Sequence, residues 1–128
     1  MNYLLDTHTF LWFINEDKQL SGKAISAIAN PDSIKYISMA SLWEIAIKLN
    51  IGKLELDLPY RALRQQIDIN GFEMLPIGFE HTTALSTLDF HHGDPFDRMI
   101  IAQGLVENLI VISKDKNFSK YQRLQLLW

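Results

Sequence analysis

Short apolar runs alternate with stretches of helical periodicity along the chain. Asn2 to Leu5 reads as a strand, and Thr7 to Ile14 then carries Phe10, Leu11, Phe13 and Ile14 at helical spacing. After the polar loop Asn15-Glu16-Asp17-Lys18, Ser21 is placed to cap a helix from Gly22 to Ala29, which stops at the proline-led turn Asn30-Pro31-Asp32. Ile34 to Ile37 is a second strand. Ser41-Leu42-Trp43-Glu44 has the form of a capping box and predicts a helix start, with Leu42, Ile45, Ala46 and Leu49 as its stripe and an end before Gly52. Pro59 introduces another helix, Tyr60 to Asn70, stopped by Gly71.

The second half repeats the alternation. Phe72 to Ile77 is extended but contains Pro76, which places it near a sheet edge. Glu80 to Leu88 predicts a helix, and His91-His92-Gly93 a loop. Asp94 and Pro95 then supply the N-cap and first turn of a strong helix carrying Met99, Ile100, Ala102, Leu105 and Val106. A buried-type strand, Leu109 to Ile112, follows, and Leu124, Leu126 and Leu127 suggest a last one. Strands alternating with helices predict a three-layer α/β/α sandwich around a mainly parallel sheet, formed by one domain over residues 1–128.

Composition agrees with an ordinary folded protein: 48% hydrophobic residues, 11% aromatic, and no cysteine. Without cysteine there are no disulfides, thiolate metal sites or cysteine nucleophiles. No apolar run approaches the ~18 residues of a membrane span, and the start Met1-Asn2-Tyr3-Leu4-Leu5-Asp6 lacks a basic leader pattern, so a cytoplasmic protein with no membrane partner is expected. A net charge of -3 argues against gripping nucleic acid by bulk charge. That balance counts acids whose local field a bound cation would reverse, with Lys48, Arg98, Lys114 and Lys116 near them in sequence.

Those acids are Asp6, Glu44, Asp97 and Asp115. They lie at strand exits or early in helices, positions that meet at the carboxyl edge of a parallel sheet. Two unit charges ~4 Å apart repel by about 4 kcal/mol at an effective dielectric of about 20, and a divalent cation relieves this. Carboxylates are hard oxygen ligands suited to Mg²⁺ or Mn²⁺, and water on such an ion can attack a phosphodiester. Each acid also has a purely structural explanation: Glu44 closing a capping box, Asp94 and Asp97 complementing a helix dipole, Asp6 and Asp115 ending strands. No phosphate-binding Gly-rich loop is present, and Ser38, Ser41 and Ser113 have no nucleophile-elbow context. His8, His81, His91 and His92 lack the spacing of a zinc pair and read as polar loop or first-turn groups, His8 remaining under suspicion.

Four segments, in order and over nearly the whole length, carry a resemblance: Leu4-Leu5-Asp6-Thr7-His8, Ser38-Met39-Ala40-Ser41-Leu42-Trp43-Glu44-Ile45, Asp94-Pro95-Phe96-Asp97-Arg98, and Ser113-Lys114-Asp115 with Phe118. Together they resemble the PIN-domain family, specifically the VapC-type ribonuclease toxins of bacterial toxin-antitoxin pairs. The resemblance implies that Asp6, Glu44, Asp97 and Asp115 bind Mg²⁺ or Mn²⁺ for endonucleolytic RNA cleavage, with Thr7, Asp94 and Ser113 in support. It also implies a homodimer and a cognate antitoxin, with Trp12, Phe13 and Trp43 as candidate anchors that could equally be core. The alternative is a non-catalytic RNA-binding or protein-interaction module of the same fold. A receiver or phosphatase would want a paired acid motif after the first strand, which Asp6-Thr7-His8 does not supply.

Overall fold

A computed structural model describes all of residues 1–128. Five strands, β1 (Asn2–Leu5), β2 (Ile34–Ser38), β3 (Phe72–Leu75), β4 (Ile110–Ile112) and β5 (Gln125–Leu127), form one sheet in the order β3-β2-β1-β4-β5. Every pairing is parallel, so the sheet is wholly rather than mainly so. The helices are α1 (Thr7–Ile14), α2 (Gly22–Ala29), α3 (Met39–Asn50), α4 (Leu63–Ile69), α5 (Phe79–Ser86) and α6 (Pro95–Glu107).

Alternation along the strands divides the core in two. Tyr3 and Leu5 of β1, with Ile37 and Ile112, pack against Phe10, Ile28, Ile45 and Ile67 from α1 to α4. Leu4 and Val111 face the opposite layer, where α6 contributes Ile100 and Ile101 and the C-terminal segment Phe118 and Leu124. Both faces are covered, the arrangement a parallel sheet requires. This is the expected α/β/α sandwich. The Phe72 strand lies at an edge, with Pro76 just beyond it.

Side-chain oxygens start α1, α2 and α6, at Ser21 and Asp94 as the sequence predicts and also at Asp6. Asp6 accepts from the Thr9 amide at the head of α1, Ser21 from Ala24 for α2, and Asp94 from Asp97 for α6. The last of these ends on Asn108 in the left-handed region at φ 55, a common helix stop. The Tyr60 to Asn70 helix begins as a 3₁₀ turn, Tyr60–Ala62, before α4 proper.

The capping box at Ser41 does not form. Helix α3 begins at Met39, capped by Ser38, whose hydroxyl accepts from the Ala40 amide. Strand β2 therefore passes directly into α3. Ser41 and Glu44 lie inside the helix and are buried, so the capping explanation of Glu44 fails with the box. Trp43, a candidate anchor that could equally be core, is 59% exposed, so the core alternative fails.

Candidate active site

The strand order reverses at β1: the chain steps outward through β2 to β3, then returns to place β4 on the other side of β1. At such a switch the connections leave in opposite directions and open a crevice at the carboxyl ends of the strands. Asp6 follows β1 immediately and Ser113 follows β4, with the Asp6 amide donating to the Ile112 carbonyl at 3.2 Å.

Asp6 is almost fully buried. Its Oδ1 accepts from the Thr9 amide at 2.9 Å and its Oδ2 from the Ser113 hydroxyl at 2.6 Å. Burial pushes its pKa above the usual carboxylate range, although both hydrogen bonds oppose that rise. Ser113 Oγ in turn accepts from the Asp115 amide at 3.0 Å, so one hydroxyl ties the first acid to the last.

Glu44 reaches the crevice from the interior of α3. Its Oε2 accepts from Lys48 Nζ at 2.7 Å, one helical turn on, while Oε1 is buried with no hydrogen-bond partner. A buried carboxylate oxygen left unpaired is costly. Lys48 is raised in pKa first by its hydrogen bond to Glu44, and also by Asp94 and Asp97. It is the one lysine or arginine in salt-bridge contact with the acids. Arg98 turns instead to the Leu88 and Asp89 carbonyls, and Lys114 lies over Trp12.

Asp97, in the first turn of α6, is pushed up to about 8, first by burial and then by repulsion from Asp94, Asp6, Glu44 and Asp115. Asp6, Glu44 and Asp115, from three other elements, thus act on Asp97 together with Asp94 of its own helix cap, and the four sequence-predicted acids share one electrostatic field. Asp115 starts a 3₁₀ turn, its Oδ1 accepting from the Asn117 amide at 2.8 Å. Thr7 is bonded to no acid; its hydroxyl donates to Ser41 Oγ at 2.9 Å and links α1 to α3.

The sequence reading missed His92. Its Nε2 lies 2.9 Å from Asp115 Oδ2 and 3.1 Å from Asp97 Oδ2. Ligand atoms of His92, Asp97 and Asp115 all lie within 4.8 Å of one another. A search for zinc-type histidine pairs overlooks a lone imidazole that serves acids. The usable signal was its place two residues before the Asp94-Pro95 helix start. His8, by contrast, is exposed and lies tilted against Trp12, with ring centroids 5.7 Å apart.

The acids offer oxygen donors, one buried oxygen is unpaired, and the lysine that is salt-bridged to them, Lys48 on Glu44, is itself partly exposed. These features fit a small divalent cation. The PIN domain model matches residues 3–124. The chain belongs to the PIN-domain family. Ribonuclease VapC22 from Mycobacterium tuberculosis is 25% identical over 122 residues, 93% of this chain and 91% of that protein. Among solved structures, VapBC2 from Rickettsia felis bound to a promoter DNA fragment aligns with a TM-score of 0.73 at 16% identity, covering 99% of this PIN domain and 98% of that chain. DNA-bound VapBC from Salmonella typhimurium gives 0.70 at 18% identity, covering 99% and 97%. At these identities the solved structures speak for the fold.

Proposed function

We propose that this PIN domain is a Mg²⁺- or Mn²⁺-dependent endoribonuclease, the toxin of a toxin-antitoxin pair. Asp6, Glu44, Asp97 and Asp115 hold the cation, supported by Thr7, Asp94 and Ser113. The observation that carries the reading is the buried, unpaired Oε1 of Glu44. Burial pushes Asp97 upward, and the charge of Glu44, with those of Asp94, Asp6 and Asp115, adds to that rise: the site lacks positive charge. A cation held by these acids would favour ionisation of an attacking water and would offset charge developing on the phosphate.

The chain's own groups set the terms of that chemistry. Ser113 and the Thr9 amide favour the ionised form of Asp6 against the effect of burial. Lys48 offsets one charge of Glu44 while leaving Oε1 available. Asp97 holds a proton near neutral pH in the metal-free protein and yields it on cation binding. The ribonuclease name of the 25% identical relative supports RNA as substrate, and the VapBC neighbours support an antitoxin partner. A homodimer working in the cytoplasm completes the proposal; no helix is long and apolar enough to cross a membrane.

The test is incubation of purified protein with end-labelled RNA in Mg²⁺, Mn²⁺ or chelator, with Asp97→Asn alongside. Discrete internal cuts that need the cation and vanish in the variant are expected. Cleavage that persists in chelator, or equally in Asp97→Asn, refutes the assignment.

A further inference from the structure

His92 sits between two of the proposed cation ligands, and its ring geometry decides what it does there. Nε2 is 2.9 Å from Asp115 Oδ2 and 3.1 Å from Asp97 Oδ2, while Nδ1 accepts from the Asp94 amide at 3.2 Å. An imidazole that binds a metal through Nε2 carries its proton on Nδ1 and needs an acceptor opposite that nitrogen. Here the group opposite Nδ1 is a backbone N–H, which cannot accept. The Asp94 amide therefore excludes the ligand role and fixes the Nε2–H tautomer. One ring proton is then aimed at two carboxylates that belong to different elements, the first turn of α6 and the turn after β4.

We propose that His92 is a positioning residue that joins the Asp97 and Asp115 carboxylates through a shared Nε2–H, its tautomer set by the Asp94 amide. The proposal rests on the cation-dependent reading above for its consequence, although the bridge itself exists without a cation. Asp115 is held at both oxygens, by His92 and by the Asn117 amide, so its plane is fixed. Asp97 is held at Oδ2, which directs its other oxygen away from the bridge. The ring packs edge-on to Phe118 at 5.7 Å, and Phe118 is fully buried, so the bridge is anchored in the core. Asp94 consequently has two tasks: its carboxylate caps α6, and its amide orients the histidine. Two acids that would otherwise repel are held with their geometry prepared for a shared charge.

Three substitutions separate the two ends of the ring. In His92→Gln the carboxamide nitrogen reaches as far as Nε2 and keeps a donor for the carboxylates. In His92→Asn the side-chain oxygen matches Nδ1 and keeps the Asp94 contact, but nothing reaches the acids. His92→Ala removes both. Calorimetric titration of the folded proteins with Mn²⁺ is expected to show affinity within about 3-fold of wild type for Gln, and a loss of about 10- to 100-fold for Asn and Ala, the usual effect of removing a group that orients a ligand. Equal affinity in all four proteins overturns the proposal, as does nitrogen hyperfine coupling from His92 to bound Mn²⁺, which makes it a ligand. Imidazole nitrogen NMR of the metal-free wild type is expected to show the Nε2–H tautomer, and a proton on Nδ1 overturns the bridge. A wild type that binds no Mn²⁺ refutes the cation reading, and the tautomer still decides the bridge.

Discussion

Ser113 Oγ donates to Asp6 Oδ2 at 2.6 Å, joining residues 107 positions apart in the chain. The same oxygen accepts from the Asp115 amide, so the hydroxyl stabilises negative charge on Asp6 and fixes the turn that carries Asp115. Ser113→Ala removes a hydrogen bond to a buried charged group, and stability should fall by about 1–3 kcal/mol. Burial then acts on Asp6 with less opposition, so its pKa rises further and Mg²⁺ binding weakens near neutral pH. Urea unfolding and Mg²⁺ calorimetry check both parts; a variant unchanged in both would show the bond to be incidental.

Asp97 links stability to pH in a fixed direction. Its folded pKa, about 8, lies above the ordinary 3.8, so the folded chain holds this proton more tightly than the unfolded chain does. The contribution is whole below about pH 4, is lost as pH rises through about 8, and is flat above that. Metal-free Asp97→Asn should show a shallower decline and exceed wild type by on the order of 1–2 kcal/mol near pH 9, since an uncharged group replaces a repelled carboxylate. Denaturant midpoints across this range test it. Parallel profiles for the two proteins would remove Asp97 from the electrostatic cluster.

Glu44→Gln keeps the shape of the side chain and removes the charge beside the unpaired Oε1. Lys48 is partly exposed and can be hydrated when its partner is lost, so stability should change by less than about 1 kcal/mol. Cation binding should suffer far more. In wild type, Mg²⁺ at ~100 times its Kd adds about 2.7 kcal/mol and raises the Tm, and this increment should shrink sharply in the variant. Melting with and without Mg²⁺ measures it, and an undiminished shift would place the ion away from Glu44.

Most of the architecture was legible because it rests on local chemistry. Ser21 and Asp94 cap the helices they precede, and the apolar runs at Tyr3-Leu4-Leu5 and Ile110-Val111-Ile112 occupy the sheet centre. Ser41 misled because two candidate caps lie three residues apart. The strand runs into Ser38, which takes the cap and leaves Ser41 inside the helix. His92 was illegible because its role depends on distances to Asp97 and Asp115 that only the closed fold sets. The positions of Asp6 and Asp115 at strand exits and of Asp97 at a helix start were readable, whereas Glu44 lies deeper in its helix than the sequence suggested and its unpaired oxygen was not legible.

Gly104 is required by packing in the interior of α6. A Cβ there would meet Val111 Cγ2 at 2.8 Å and Leu124 Cδ1 at 3.0 Å, contacts with the neighbouring strand and the C-terminal segment. The strain of about 1–3 kcal/mol from overpacking offsets or exceeds the ~1 kcal/mol that alanine gains in a helix, so Gly104→Ala should be destabilising by up to about 2 kcal/mol. Cleavage per folded molecule should stay near normal, because the residue touches none of the acids. A stabilised variant would show that α6 moves off the sheet at little cost.

Trp43 precedes Glu44 and Phe96 precedes Asp97, and their rings meet edge to face with centroids 5.2 Å apart. This pair, an exposed Trp43 ring and a half-buried Phe96 ring, is therefore fixed to the same two helices that deliver two of the acids. A partner seated on it would lie close to the crevice and obstruct RNA, which makes Trp43 a candidate anchor for the proposed antitoxin or for the second subunit. Truncating a central anchor of this type costs about 2 kcal/mol or more in binding, whereas loss of the pair costs the folded chain only about 0.5–1.5 kcal/mol. Trp43→Ala should thus remain folded while its affinity for the co-expressed antitoxin, or its dimer stability, falls at least about 10-fold. Co-purification and analytical ultracentrifugation distinguish the two partners. If both associations survive intact, the exposed ring faces RNA or solvent, and any antitoxin must dock elsewhere.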